Sequence, residues 1–266
     1  MISLLLTAAI TVFIFMSAVF VLAQLLKNNA IVDIAWGLGF IFVTASLLTR
    51  RPGLFPAKLL LVALILVWGL RLSAHIFMRN SGKPEDFRYA RMRRNWGKAV
   101  QVKSFFFIFM LQGILMLVVS LPVTVLFSSP TRSLGALDLL GVLVFSAGFF
   151  FEVVGDSQLA AHVSDPGNKG QLMTRGFWSI TRHPNYFGEA TLWWGIGLIA
   201  LPSAHGWIAL FGPLSITLLL LFVSGVPILE QKYAGRPDWE AYKAKTPKFF
   251  PWFPKRRREG SPDTAP

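Results

Sequence analysis

The sequence predicts an all-α, polytopic membrane protein with about seven transmembrane helices. Its mean hydropathy is +0.55 and only 15% of its residues are charged, whereas a soluble domain carries about 25%. Apolar runs of roughly 20 residues, enough to cross about 30 Å of hydrocarbon, recur along the chain. We place these spans near residues 2–26, 31–48, 57–78, 104–127, 137–155, 187–202 and 207–229.

The first apolar run has a secretory signal peptide as its alternative interpretation. No basic segment precedes it and no small-residue cleavage site follows it. It is also about 25 residues long, where the apolar core of a signal peptide has about 7 to 15. We therefore expect the chain to keep this run as its first span.

Basic residues predict the orientation, because Lys and Arg are retained on the cytoplasmic side of a membrane. With the N-terminus outside and the C-terminus inside, twenty-one Lys and Arg residues fall on the cytoplasmic side and four on the other. This asymmetry also accounts for the net charge of +13, so we do not expect a nucleic-acid partner. We expect residues 1–254 to form one membrane domain, with its cofactor half at about 150–254, and residues 255–266 to be a basic, disordered tail beside membrane lipids.

Several ionisable side chains lie within or beside the apolar runs. A charge at the centre of a spanning helix costs roughly 2.5 to 3.5 kcal/mol, so such groups usually mark a pathway or a site. The alternative is that they are interface residues paired with Lys or Arg. Four-residue spacing, which puts side chains on one helix face, favours a lined cavity. The candidates are Asp33, Arg71, His75, Glu152, Asp156, Glu189 and Glu230, and the spaced sets are Glu152 with Asp156, and Asn185 with Glu189 and Trp193.

The most polar stretch that adjoins an apolar run is TRHPNYFGE at residues 181–189. Pro184 favours the first turn of a helix, so a helix should begin there. Arg182 and His183 would then lie at the positive end of the helix dipole, which disfavours cations by about 0.3 to 1 kcal/mol each. A bound phosphate would reverse that penalty. The alternative is that both residues are topology signals facing water.

The same stretch carries a family resemblance. RHPNYFGE with a Trp-rich helix after it, DSQ upstream and EQKY...WEAYKAKTPKFFPWF downstream resemble the bacterial DUF1295 proteins of the steroid 5α-reductase-like superfamily. The resemblance covers nearly the whole chain and is strongest from residue 150 onward. Sterol Δ14 reductases also belong to this superfamily, and isoprenylcysteine carboxyl methyltransferases have a similar R-H-P-x-Y-x-G motif. The motif is therefore specific for the superfamily and weak for the reaction.

The resemblance to the reductases implies NADPH bound from the cytoplasmic side. Asp156, Asn185, Glu189 and Trp193 match family positions near the cofactor, Arg71 lies near a cofactor-binding Arg, and Gln112–Gly113 match a family LQG. We add residues that can contact phosphates, polar groups or rings. The expected cofactor-binding set is Arg71, Asp156, Arg175, Arg182, His183, Asn185, Tyr186, Glu189, Trp193 and Glu230.

Asp33 is the expected catalytic residue. In the steroid reductases a Glu and a Tyr hold the substrate ketone; Asp33 could replace the Glu, but Trp68 lies where the Tyr is expected. A buried carboxyl that keeps its proton could donate a hydrogen bond to the developing enolate oxygen. The alternative is a first-turn or N-cap Asp that only complements the helix dipole.

These observations favour an NADPH-dependent reductase of an activated C=C bond in a steroid-like or other lipid, in the bacterial inner membrane. The first alternative is an S-adenosylmethionine-dependent methyltransferase of a lipophilic acceptor. Its relatives tend to have paired Glu residues near the last helix, where this chain has Glu230 and Gln231. A transporter or binding protein is the second alternative, although no pair of broken helices in two halves supports it. The cysteine-free sequence shows no metal-binding spacing.

Overall fold

The computed structural model describes residues 1–253, and every regular element in that range is helical. The expected tail at 255–266 lies outside the described residues. The predicted all-α fold class is confirmed. The helices are α1 (Ile2–Leu25), α2 (Ile31–Arg50), α3 (Pro56–Asn80), α4 (Phe87–Val119), α5 (Leu121–Ser128), α6 (Ala136–Ser164), α7 (Phe177–Ile180), α8 (Pro184–Ala200), α9 (Gly206–Tyr233) and α10 (Pro237–Lys245).

Six helices in the described range are long and apolar enough to cross a membrane, namely α1, α2, α3, α4, α6 and α9. The protein is therefore an integral membrane protein. The predicted span at 187–202 corresponds to α8, which has 17 residues. At 1.5 Å per residue it extends about 25 Å, somewhat less than the hydrocarbon thickness. The orientation of the spans stays a prediction.

Local sequence explains where several helices begin. Proline occupies the first turn of α3, α8 and α10, where its missing N–H would have no helical partner. The predicted helix start at Pro184 is confirmed. The Asp86 side chain caps α4 by accepting a hydrogen bond from the Arg88 backbone N–H at 2.9 Å.

The described chain divides into two compact units. The first comprises Met1–Phe145 and Trp193–Ile216, and the second comprises Ser146–Leu192 and the chain from Thr217 onward. The second unit contains most of the segment expected to form the cofactor half. That residues 1–254 behave as a single domain stays a prediction.

In the first unit, α2 packs against both α1 and α3. A Cβ atom at Gly37 would lie 2.4 Å from the Gly69 carbonyl oxygen, so α2 and α3 approach too closely for a side chain at this point. A fully buried aromatic cluster also belongs to this unit: Trp68 lies 5.3 Å from Phe40 and 5.1 Å from Trp193 between ring centroids. These contacts supply close packing in the interior of the unit.

In the second unit, α6 and α8 make a similarly close contact through Gly148 and Gly188. A Cβ at Gly188 would lie 2.4 Å from the Glu152 backbone nitrogen, and one at Gly148 would lie 2.4 Å from the Leu192 backbone nitrogen. Both obstacles are backbone atoms, which cannot move aside as a flexible side chain can. The glycine of RHPNYFGE is therefore needed for helix packing.

We expect Gly188→Ala to lower the melting temperature of the purified protein by several degrees, because overpacking a close contact costs about 1 to 3 kcal/mol. Thermal unfolding in detergent, followed by circular dichroism, measures this. Gly53→Ala is the control, since no atom lies within 4 Å of the added Cβ. Equal melting temperatures for the two variants would contradict the packing role of Gly188.

The predicted orientation can be tested with single cysteines, because the chain has none of its own. Ser133 and Ser81 are exposed and lie in the connections before α6 and α4. On intact cells, an impermeant thiol reagent should label Ser133→Cys and leave Ser81→Cys unmodified, whereas lysed cells should show labelling of both. Labelling of Ser81→Cys alone on intact cells would reverse the topology.

Candidate functional site

The start of α8 is built around an enclosed ion pair in the second unit. The Arg182 guanidinium contacts Glu230 Oε1 through Nε and Nη2, each at 2.9 Å. Only 7% of the Arg182 side chain is exposed. His183 Nε2 lies 3.1 Å from the same carboxylate oxygen. We call Arg182, His183 and Glu230 the helix-start cluster.

Backbone carbonyls at the end of α10 complete the coordination of Arg182. Its Nη1 donates to the carbonyl oxygens of Lys243 at 3.1 Å and Thr246 at 3.0 Å. The last carbonyls of a helix lack partners within it and carry the negative end of its dipole. The guanidinium is therefore neutralised by a carboxylate and by the C-terminal end of a helix.

The structure revises how Arg182 was expected to act. The sequence predicts that Arg182 binds a phosphate at the helix start, but its Nε, Nη1 and Nη2 all contact groups of the chain. Glu230 occupies the role of the expected anion. A guanidinium enclosed in this way positions its neighbours, and a cofactor contact by Arg182 stays a prediction.

His183 presents a different kind of polar atom. Burial lowers the pKa of this side chain, while its hydrogen bond with Glu230 acts in the opposite direction. In the resulting neutral ring, Nε2 carries the proton that Glu230 accepts, so Nδ1 is an acceptor. Nδ1 is buried and has no hydrogen-bond partner among residues 1–253. It fits a hydroxyl or amide N–H of a ligand better than it fits a phosphate.

Other predicted cofactor residues of the second unit surround the same turn. Asn185 Nδ2 donates to Asp156 Oδ1 at 3.0 Å, which joins two residues that the sequence placed on separate helices. The Tyr186 ring stacks on the His183 ring with centroids 5.8 Å apart. Glu189 is partly buried on α8, and Arg175 is exposed before α7. The structure thus brings together Arg182, His183, Glu230 and Tyr186, and separately Asp156 and Asn185.

A second polar cluster lies in the first unit, around Asp33. Its Oδ1 accepts a hydrogen bond from the Tyr89 hydroxyl at 2.6 Å, and its Oδ2 accepts one from Arg88 Nη2 at 2.8 Å. Gln112 Nε2 lies 3.4 Å from the Tyr89 hydroxyl oxygen. Tyr89 is buried, and Asp33 is partly buried. We call these four residues the Asp33 cluster.

Both carboxylate oxygens of Asp33 accept hydrogen bonds, and the adjacent guanidinium favours the ionised form. Burial of a carboxyl favours the protonated form instead, so the expected protonation of Asp33 stays a prediction. The N-cap of α2 is Ala30 and Asp33 lies in the first turn, one of the two positions named by the alternative interpretation. Tyr89 is the group of this cluster that carries a transferable proton, and a catalytic role for Asp33 stays a prediction.

Comparison with known proteins identifies the family. A profile described as a protein of unknown function (DUF1295) matches residues 19–246, which is most of the chain. The chain belongs to the DUF1295 family. No curated protein and no solved structure matches it.

The first unit of this DUF1295 protein contains two of the residues predicted to bind cofactor. Arg71 is partly buried on α3, and Trp193 is fully buried with Phe40 and Trp68. No group of three or more metal-ligating side chains occurs in the described part of the chain.

Sequence reasoning missed Tyr89 in this DUF1295 protein, and it counted Arg88 among the cofactor arginines without its pairing to Asp33. Both lie in FRYARMRRNW, where the density of arginine reads as a topology signal. A weak indication was present. The chain has 24 Phe but only four Tyr, so it is unusual to find Tyr instead of Phe beside a span. The partnership itself joins residues 56 positions apart, and no spacing rule connects them.

Proposed function

We propose that this DUF1295 protein is an NADPH-dependent reductase of the bacterial inner membrane that saturates an activated C=C bond in a steroid-like or other lipid. The observation that carries the proposal is the hydroxyl–carboxylate–guanidinium arrangement of the Asp33 cluster. This arrangement supports the proposal because the Tyr89 hydroxyl can donate a proton. Tyr89 also belongs to a unit of apolar helices, which suits a lipophilic substrate.

Reduction of an enone needs such a donor. When bound, NADPH supplies a hydride to the β-carbon, and negative charge then develops on the carbonyl oxygen. A donor held in a water-poor place stabilises that charge. The Tyr89 hydroxyl can rotate from Asp33 toward a carbonyl oxygen, while Arg88 keeps the carboxylate neutralised. Methyl transfer from S-adenosylmethionine to a lipophilic acceptor needs no proton donor, so this arrangement favours the reductase over the methyltransferase.

We expect the nucleotide to be bound in the second unit by neutral polar groups more than by phosphate contacts. His183 Nδ1 is a buried acceptor without a partner in the described chain. The Tyr186 ring stacks on the His183 ring, and Asn185 belongs to the same first turn of α8. Arg175 supplies an exposed guanidinium from the same unit. In this proposal these four residues bind NADPH, and Arg182 positions them.

The chemical role can be tested with Tyr89→Phe and Asp33→Asn, assayed as NADPH consumption with a panel of α,β-unsaturated lipid ketones. Tyr89→Phe removes the donor itself, and Asp33→Asn removes the carboxylate that orients it. Each variant should therefore reduce its substrate about 10²-fold more slowly and should bind NADPH as the wild type does. Tyr233→Phe, which removes a hydroxyl outside the cluster, is the control and should keep full activity. Wild-type turnover in both cluster variants would remove this cluster from the mechanism.

The cofactor can be tested with Asn185→Ala and Arg175→Ala, titrated with NADPH and with S-adenosylmethionine in lipid nanodiscs. Loss of one such hydrogen bond costs roughly 1 to 3 kcal/mol, so each NADPH affinity should fall roughly 5- to 150-fold. Arg51→Ala, which removes an exposed arginine of the first unit, should change nothing. Saturable S-adenosylmethionine binding without NADPH binding would instead identify a methyltransferase.

A further inference from the structure

The described chain ends in a segment that is fastened to the second unit by its backbone. We call residues 246–253 the C-terminal strap. The Arg182 backbone N–H donates to the Pro247 carbonyl at 2.9 Å, the Thr181 hydroxyl donates to the Phe249 carbonyl at 2.8 Å, and the Trp252 N–H donates to the Ile180 carbonyl at 2.9 Å. The strap is therefore attached along the residues that immediately precede α8.

Its side chains divide into a buried anchor and an exposed aromatic patch. Phe249 is 5% exposed and lies 5.9 Å from the Phe187 ring. Phe250, Trp252 and Phe253 are 69%, 72% and 80% exposed. The described chain leaves these three large aromatic side chains uncovered, and adjacent exposed apolar groups of this kind mark an interaction surface.

The charge around the patch indicates what it contacts. Lys245 and Lys248 are exposed in the described chain, and the sequence continues with Lys255, Arg256, Arg257 and Arg258. Aromatic side chains with Lys and Arg beside them are the composition found at membrane interfaces, where rings enter the headgroup layer and the cations contact anionic lipids. A soluble protein partner would need to match both features, whereas the bilayer around the spanning helices provides both.

We infer that the aromatic patch of the C-terminal strap, together with the exposed Lys245 and Lys248, forms a docking surface for the interface of a bilayer that contains anionic lipids. The rings of Phe250, Trp252 and Phe253 lie among the headgroups, and the two lysines bind lipid phosphate. Because the strap is bonded to residues 180–182, this contact holds the helix-start cluster at the membrane surface. The inference does not depend on the reaction that the protein catalyses.

Single cysteines carrying an environment-sensitive fluorophore test this surface in the cysteine-free chain. We place them at Phe250, Trp252 and Phe253, with Ala244→Cys as the control, because Ala244 is exposed on the face of α10 opposite the buried Tyr242. The full-length protein is reconstituted one copy per nanodisc, in phosphatidylcholine with or without phosphatidylglycerol and with brominated chains as quenchers. Melting temperatures confirm that each variant is folded.

The three strap probes should shift to shorter wavelength and lose most of their emission to brominated lipid, and phosphatidylglycerol should increase the loss. Replacing Lys245 and Lys248 by Gln should reduce the phosphatidylglycerol effect. Emission that stays typical of water at all three positions would overturn the proposal. A shift to shorter wavelength without quenching by brominated lipid would also overturn it, because protein would then cover the patch. Quenching at Ala244 equal to that in the strap would overturn it as well. Equal quenching in nanodiscs with and without phosphatidylglycerol would overturn the assignment of anionic lipid.

Discussion

The enclosed guanidinium of Arg182 is the constraint on which the second unit depends. A buried charge must be paired and hydrogen-bonded, because removing one partner of such a pair costs about 3 to 5 kcal/mol. Arg182 obtains its carboxylate from Glu230, 48 positions away, and its carbonyls from the end of α10. These contacts join α9 and the end of α10 to the residues that precede α8, and the C-terminal strap runs alongside the same residues.

The first unit also pairs its enclosed charges, but it does so through arginines of α4. Asp33 is paired with Arg88, which is also hydrogen-bonded to Asp86 at the start of α4. Arg93, further along α4, pairs with Glu85 at 3.0 Å, and Glu85 accepts the Asn29 backbone N–H at 2.7 Å. The arginines that the sequence presents as topology signals therefore include two that are structural. The two clusters differ in chemistry, because only the Asp33 cluster contains a hydroxyl group that can donate a proton.

Hydropathy and proline placement predicted the spans and the start of α8, because each depends on residues that are adjacent in sequence. The partners of the functional side chains could not be predicted in this way. Helical spacing states that Asn185 and Glu189 share a face, but it does not state that Asp156 meets Asn185 or that Glu230 meets Arg182. The prediction of an anion beside Arg182 did not include Glu230, because that carboxylate lies 48 positions away in sequence. A phosphate contact by Arg182 stays a prediction. Tyr89 was missed for a related reason. Its importance comes from its hydrogen bond to Asp33, which lies 56 positions away in sequence.

These contacts also explain why the RHPNYFGE stretch is more informative about the fold than about a reaction. Arg182 pairs with Glu230, Pro184 begins α8, and Gly188 admits the backbone of α6. All three support the fold at the start of one helix, so a reaction must be inferred from other residues. The proposed reductase needs a proton donor, whereas methyl transfer needs none. The Tyr89 hydroxyl beside Asp33 therefore supports this proposal more than the more recognisable motif does.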